Sequence, residues 1–464
     1  MSEQKPLLNP EERVLSTLNQ DGSRRWLRPK VARGKWWKRR AIVGYGLIAL
    51  FNILPWLSIN GKPILLLDVM HRQFTFFTFT FRPTETLLLA FLLLATFVSV
   101  FFITSLFGRV WCGWGCPQTV YLEFLYRPLE RLIEGPNSQK GKPVPPKRVA
   151  LKYLVFGIVS LHLSHTFLAY FVSPTELFSW TLGNPFDHPV GFGIVFGVAA
   201  LMMYNFVWFR EQMCILACPY GRLQAVLLDR NSLIVGYDAT RGEPRGKKRK
   251  KADPNAPTPG DCIDCNWCLA VCPTGIDIRD GLQMECIHCT ECVDACDNVM
   301  EKVGREKGLI RYTSQHGLAG DPLKFLRPRT VLYPIVIVLA LSAFLFRLTT
   351  LETALISPRR VQNNPYTMIG EESVRNVLSF RIENRSQEPH TYQVEMDEPF
   401  KLVAPNFPLD LGAGQSQEFM LIVDSPVDVF QDGKARLQFK FSDEADFESE
   451  VSRAVVGPLT TSSE

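Results

Sequence analysis

The sequence predicts a multi-domain membrane protein. It has an α-helical transmembrane unit of about five spans, a compact cysteine-rich insert and a C-terminal all-β sandwich. Three observations carry this. Five stretches are long and apolar, 12 cysteines lie between residues 112 and 296, and residues 359–464 turn to strand-like patterns. The mean hydropathy of +0.03 over 464 residues is then an average of oily spans and polar domains. A net charge of +5 is too small to argue for a nucleic-acid partner.

A bilayer span takes about 20 predominantly apolar residues. The stretches Ala41–Ile59, Glu85–Leu106, Tyr153–Val172, Pro189–Phe209 and Val331–Phe346 fit. The first four make a membrane unit over 41–210, and a fifth helix is expected at 330–349. Orientation follows from Lys and Arg in the short loops. Residues 1–40 hold eleven, and residues 107–149 between the second and third spans hold seven (Arg109, Arg127, Arg131, Lys140, Lys142, Lys147, Arg148). The loop SPTELFSWTLGNPFDHP holds none. The N-terminus and the segment 211–329 are therefore expected in the cytoplasm, and the tail outside. PILLLDVMHRQFTFFTFTF, 63–81, carries Asp68, His71 and Arg72 and then alternates Phe with Thr. It reads as an external, interfacial strand or hairpin rather than a sixth span. A charged N-terminus before a long first span argues against a cleaved signal peptide. Gly191, Gly193 and Gly197 follow no strand, so close helix packing is expected there rather than nucleotide binding.

All the cysteines fall in expected cytoplasmic segments, where a disulfide framework is disfavoured. Cys262, Cys265, Cys268 and Cys272 form C-x2-C-x2-C-x3-C followed by Pro273. Cys286, Cys289, Cys292 and Cys296 repeat it 24 residues on, with Asp297 in place of the proline. Three thiolates of such a run can hold three corners of one iron–sulfur cube while the fourth closes the other cube. The expected sets are Cys262, Cys265, Cys268 with Cys296, and Cys286, Cys289, Cys292 with Cys272. Zinc is the alternative, since C-x2-C pairs bind it too. Residues 255–305 resemble a two-cluster bacterial ferredoxin, which implies two 4Fe–4S clusters in a ferredoxin-like domain. His288, inside the second loop, is expected to be a local hydrogen-bond donor.

Cys112 and Cys116 lie in RVWCGWGCPQTVYLEF, and Cys214 and Cys218 in REQMCILACPYGRLQAV. Both read Arg, a short gap, C-x3-C-P and an amphipathic stretch, so the membrane unit also contains a repeat. On a helix, i and i+4 place both sulfurs on one face, and the proline suits the first turn of a following helix. Four such thiolates could hold a soft ion such as Cu(I), hold a further iron–sulfur cluster, or form a redox dithiol; small buried residues are the bland reading. His162 and His165 in LHLSHTF, and His71 with Met70, are secondary metal candidates, as are Met202 and Met203. Hydrogen bonding and packing compete with that role.

The linker RGEPRGKKRKKADPNAPTPGD is basic and then proline-rich; Lys247–Lys251 could rest on anionic lipid. No P-loop, HExxH or nucleophile elbow is present. The tail, with VRNVLSFRIENRS, HTYQVEMDE, SQEFMLIVDS and KARLQFKFSDE between turn clusters, predicts an immunoglobulin-like β-sandwich over 359–464. It contains no cysteine, so no sheet-bridging disulfide is available.

Together, WCGWGCPQ, CILACPYGR, CIDCNWCLAVCP and VRNVLSFRIENR resemble the cytochrome c oxidase accessory proteins known as CcoG, FixG or RdxA, a polyferredoxin-type membrane family. The resemblance covers nearly the whole chain. It implies a bacterial inner-membrane protein with a periplasmic β-domain. It also implies reduction of Cu(II) to Cu(I) during assembly of the cbb-type oxidase, with Cys112, Cys116, Cys214 and Cys218 as the copper or redox site. Its partners would be a cytoplasmic electron donor and oxidase assembly factors or a copper chaperone or transporter; a homo-oligomer stays open. The rivals are a quinol-linked ferredoxin-type subunit of a periplasmic reductase system and a non-catalytic assembly scaffold.

Overall fold

The computed structural model describes residues 15–18, 23–59, 62–69, 73–76, 79–81, 86–135, 142–246, 259–350, 353–359, 366–370, 372–386, 388–445 and 447–458. The chain divides into two compact units, Met1–Phe344 and Leu345–Glu464. Met70, His71 and the run Lys247–Lys251 lie outside the described residues.

Among the described residues four helices are long and apolar enough to cross a membrane: Leu87–Phe107, Pro146–Leu168, Pro189–Phe209 and Pro328–Thr349. The expected first span, Ala41–Ile59, is a shorter element. Its helix is Lys35–Ile53, which begins inside the basic run. A 3₁₀ turn, Leu54–Trp56, follows and holds Pro55. Proline lacks the N–H that would continue the α-helical ladder. The apolar part of the helix is thus Ala41–Ile53, too short to match the other four.

The segment 63–81 forms no span. Leu65–Asp68 pairs antiparallel with Gln73–Phe76, which pairs with Phe79–Phe81. In the middle strand Phe74 and Phe76 point to one face and Thr75, buried, to the other. Helix Pro146–Leu168 packs on Pro189–Tyr204. Tyr126 fixes the inner side of this pair, stacking on Phe206 at 4.2 Å and meeting Phe156 edge-on at 4.9 Å. Its hydroxyl meets Ser160 Oγ at 2.8 Å. Met202 and Met203 pack into the same cluster, which is the packing role. Of the three glycines expected at a helix contact, only Gly191 has one, since an added Cβ would lie 2.9 Å from the Trp180 ring. Gly193 and Gly197 face open space.

The cysteine-rich segment is bracketed by a two-stranded sheet, Ile234–Tyr237 against Ile310–Thr313. Val235, Tyr237, Leu309 and Ile310 share a core with six of the cysteines and with Ile276, Ile278, Val293 and Met300. Asp297 accepts the Gly308 N–H at 2.9 Å, so the residue replacing the second proline ties the last helix to the returning strand.

Unit two is a two-sheet antiparallel sandwich. One sheet runs Lys401–Val403, Ser416–Pro426, Ser373–Asn384, Ala354–Arg359, with Thr367–Ile369 on the far end of the long strand. The other runs Leu409–Leu411, His390–Glu395, Lys434–Asp443, Glu448–Val456. In Lys434–Asp443 the inward set is Ala435, Leu437, Phe439 and Phe441, the period-2 pattern of a half-buried strand. Phe380 is fully buried and lies 5.1 Å from the Phe439 ring. Phe380→Ala should cost about 3–5 kcal/mol. The expected readout is a lower denaturant midpoint for the sandwich with iron–sulfur absorbance unchanged, because the two units have separate cores.

Candidate functional site

The two cysteine loops repeat at the level of the backbone. Asp264 and Asn266 in the first, and His288 and Thr290 in the second, all have φ between 53° and 63°. These are the second and fourth residues after the leading cysteine in each copy. Left-handed residues in such a loop turn successive N–H groups to one side and form an anion-binding concavity. None is glycine, so the loops carry roughly 1–2 kcal/mol of conformational cost per residue that bound ligand must offset. Each loop feeds a helix, Trp267–Val271 or Glu291–Lys302.

The fourth cysteines cross over. Cys272, Cys286, Cys289 and Cys292 line one cavity, together with Cys268. Cys296 instead lies close enough to Cys268, Cys262 and Cys265 for their charges to act on it. Burial pushes the Cys268, Cys286 and Cys296 thiols up to about 12, and those of Cys289 and Cys292 well above the ordinary range. Among the described residues no three His, Cys, Asp or Glu side chains close around a single ion. The sulfurs thus stand in two groups of four, the arrangement that two polynuclear groups need.

The membrane-edge cysteines repeat in the same way. Cys112 and Cys214 do not sit on α-helical turns with their partners, as the i, i+4 reading expects. Both pairs span a π-turn, Trp111–Gly115 or Met213–Ala217. The turns close identically: Cys116 N–H donates to Trp111 O and Cys218 N–H to Met213 O, both at 2.8 Å. One extra residue per turn is common at functional sites. Four residues before each leading cysteine the chain takes positive φ, at Gly108 (62°) and Arg210 (50°). Pro117 and Pro219 then open helices, as expected. The four thiols converge. Cys214 lies within electrostatic reach of Cys116, Cys112 and Cys218, and Arg109 acts on both leading cysteines. Burial, the largest influence, pushes Cys112 up to about 11 and Cys214 up to about 12; the Arg109 guanidinium opposes it in both. Cys112 Sγ donates to Gln224 Oε1 at 2.9 Å, and Gln224 Nε2 donates to the Tyr220 hydroxyl at 2.6 Å.

The first turn lies directly on the second cysteine loop. A Cβ on Gly113 would fall 2.5 Å from Ile287 O and 3.0 Å from Cys289 N. Cys112, Ile287, Cys289 and Tyr220 form one apolar contact. Arg109 N–H donates to His288 Nδ1 at 3.0 Å, and Trp114 Nε1–H to His288 O at 3.3 Å. His288 Nδ1 thus accepts from outside the loop, while its backbone N–H donates within it to Cys286, the local donor role expected; burial holds its imidazole neutral, with a pKa lowered to about 3. Arg40, fully buried, donates from Nε to Gly113 O at 2.7 Å and from Nη1 to Glu291 Oε1 at 2.8 Å. Burial raises Glu291 to about 7 against the pull of Arg40. Arg40, Gly113, Gln224 and Glu291 escape a reading of the sequence that looks for ligands. For Arg40, Gly113 and Glu291 the signal is a charge or glycine immediately beside a cysteine motif or an apolar run; Gln224 carries none.

The secondary histidines do not gather around an ion. His162 Nε2 meets Asn52 Oδ1 and His165 Nε2 meets Thr181 Oγ1, both at 2.9 Å. Each ring spends its outer nitrogen on a different element.

Known proteins agree with this geometry. Residues 209–315 match the family model of a 4Fe–4S dicluster domain, and residues 89–136 match a 4Fe–4S binding domain. The class is a membrane iron–sulfur electron-transfer protein with several apolar helices. Residues 344–456 match the Ig-like fold at the C-terminus of FixG, putative oxidoreductase. The RdxA protein of Cereibacter sphaeroides is 35% identical over 388 residues, 78% of this chain and 79% of its own. RdxB of the same organism is 36% identical with the same coverage. The nitrogen fixation protein FixG of Rhizobium meliloti is 38% identical over 312 residues; the match spans 64% of this chain and 59% of FixG's length. The chain belongs to the FixG/RdxA family.

Two outcomes test the site. In metal-free protein, alkylation of Cys112 and Cys214 should climb about tenfold per pH unit from pH 8 to 11, because only the thiolate reacts. A plateau near pH 9 would show that the thiols titrate normally. Gly113→Ala should destabilise the loop contact by about 1–3 kcal/mol. It should broaden the EPR signal of the second cluster, whereas Gly193→Ala should leave it unchanged.

Proposed function

We propose that the chain is an inner-membrane electron relay that reduces Cu(II) to Cu(I) for assembly of a cbb-type oxidase. The observation that carries it is the contact of Gly113 and Cys112 with the Cys289 loop, which puts the membrane-edge thiols against the iron–sulfur segment. Cys262, Cys265, Cys268 and Cys296 would hold one 4Fe–4S cluster, and Cys286, Cys289, Cys292 and Cys272 the other. When bound, the clusters supply one-electron carriers. The left-handed residues of each loop turn backbone N–H groups toward the sulfurs, and the apolar core excludes water.

Cys112, Cys116, Cys214 and Cys218 receive the copper substrate. Soft thiolates stabilise Cu(I) over Cu(II), so the site favours the reduced product. Gln224 accepts the Cys112 proton-bearing thiol and orients it, and Arg109 eases its deprotonation. Buried thiols with raised pKa values hold protons until a cation displaces them, so copper capture releases protons. The Lys and Arg of residues 1–40 and 109–148 support a cytoplasmic N-terminus and cluster segment, with the sandwich in the periplasm. There the sandwich, free of cysteine, would meet oxidase assembly factors or a copper carrier.

Replacing Cys112, Cys116, Cys214 and Cys218 together with serine should abolish cupric reduction, followed with a Cu(I)-specific chelator, while cluster absorbance is retained. Normal reduction by that variant would sink the assignment.

A further inference from the structure

Of the eight cysteines assigned to clusters, Cys265 alone is exposed; four are buried and three half-buried. Cys265 lines a cavity of about 620 Å³ together with Trp267, Arg33, Asn298, Glu301 and Lys302. The ammonium of Lys30 stands 5.2 Å from the Trp267 ring. Lys30, Arg33 and Lys302 are exposed, and none of them pairs with a carboxylate among the described residues. The carboxylates nearby are already engaged. Glu301 pairs with Lys307 at 2.9 Å, and Asp264, next to Cys265 in the chain, pairs with Arg279 at 2.6 Å. The opening beside the exposed sulfur is therefore framed by three uncompensated positive charges.

Two of those charges sit on a strap, residues 27–34, that is fastened to the cysteine-rich segment. Leu27 packs on Gly275, where an added Cβ would lie 2.7 Å from its side chain. Ala32 is buried with Val271 and Ala295. Lys30 N–H donates to Ala270 O at 2.9 Å, and the Asn298 side-chain amide donates to Arg33 O at 3.3 Å. Topology asks only for Lys and Arg near the first helix. It does not ask for apolar anchors and hydrogen bonds that hold those residues around one sulfur, and a lipid headgroup does not need them either.

The other end of the relay is closed. Cys286 and Cys289 are buried, and the backbone at Cys289 lies against Gly113 of the first thiol turn. Electron transfer weakens steeply with distance, so a donor has to approach where a ligand sulfur meets solvent, at Cys265. A nicotinamide gives a hydride, two electrons at once, whereas an iron–sulfur cluster takes one. We infer that the strap, Lys302 and the Cys265 opening form the docking port of an acidic one-electron carrier protein of the ferredoxin or flavodoxin type. In the step the carrier loses one electron and the cluster held by Cys265 gains it; no bond is made or broken. Complementary charge steers the encounter and makes its rate depend on salt. The inference rests on the two-cluster part of the proposed relay and is independent of copper.

The test uses full-length, cluster-loaded protein in phosphatidylcholine nanodiscs without copper, and a reduced acidic flavodoxin as donor. Bleaching of the cluster absorbance is followed by stopped flow. The triple variant Lys30→Glu, Arg33→Glu, Lys302→Glu should slow bleaching by flavodoxin at least tenfold at low salt and flatten its salt dependence. Its EPR spectrum and its bleaching by dithionite, which needs no docking, should match the parent. Lys302→Glu alone, one exposed change, should shift the rate in the same direction, which keeps the test open if the triple variant loses its clusters. Carbodiimide should cross-link flavodoxin carboxylates to Lys30 and Lys302, a readout of binding that does not depend on the clusters. A parent rate in the triple variant overturns the port. So does equal slowing by the pair Lys142→Glu, Lys147→Glu, which would make the effect one of general charge. If phosphatidylglycerol in the discs drops the parent to the triple variant's rate, the strap lies under headgroups and the port is overturned as a lipid contact. If dithionite bleaches nothing while the cross-links form, the relay reading fails and the docking surface stands.

Discussion

One buried guanidinium joins the parts that must act together. Arg40 closes the basic N-terminal run, and its side chain is fully excluded from water. It donates to the Gly113 carbonyl in the first C-x3-C turn and pairs with Glu291 at the head of the helix that carries Cys292 and Cys296. Burying such a charge is expensive unless it is paired and hydrogen-bonded. The pair is therefore a geometric constraint more than a source of stability: it is satisfied only when membrane helix, thiol turn and cysteine loop occupy one arrangement. Asp294 adds a second tie from the same helix, accepting the Trp36 and Trp37 N–H groups at the start of Lys35–Ile53. The glycine at 113 completes the arrangement, because any side chain there would strike backbone atoms that cannot move aside.

The dryness of the site has a chemical consequence. Burial outweighs every other influence on the Cys112, Cys116 and Cys214 thiols, and Arg109 offsets only part of it for Cys112 and Cys214. A thiol that resists ionisation is a poor nucleophile and resists stray oxidation, yet it yields its proton to a cation that binds sulfur strongly. Such a site discriminates by softness. Hard divalent ions gain too little from sulfur to displace the protons, and a thiophilic ion gains enough.

Legibility followed the physics that sets each feature. The repeated cysteine loops, the turns' prolines and the sandwich strands were readable because local spacing dictates them: Asp264, Asn266, His288 and Thr290 repeat the same backbone turn, Pro117 and Pro219 open helices, and Ala435 through Phe441 alternate inward. The first span was over-read, since hydropathy continues through Leu57 but Pro55 ends the helix. The i, i+4 face of the C-x3-C pairs was misread because the choice between α- and π-turns depends on tertiary closure, here the Cys116–Trp111 and Cys218–Met213 bonds. Arg40 was counted as a topological charge. Nothing local distinguishes it from Arg39 beside it; only the partner Glu291, 251 residues away, does. The ion pairs of Arg127 with Glu211 and of Arg210 with Glu130 were hidden for the same reason.

Duplication then explains why the two thiol turns are alike in backbone and unlike in surroundings. Positive φ at Gly108 and Arg210, the π-turn, the matching closure and the proline-led helix recur in order. The copies differ in what covers them. The first is sealed by the cysteine loop through Gly113, His288 and Ile287. Beside the second, Cys214 lines a cavity of about 670 Å³ with Arg109 and Arg222, walled also by Gly275, Ile276, Asp277 and Glu285 from the segment between the two cysteine loops. The proposed relay would use this difference: electrons would arrive where the first turn touches the cysteine loop, and a diffusing ion would enter along the cavity beside the second.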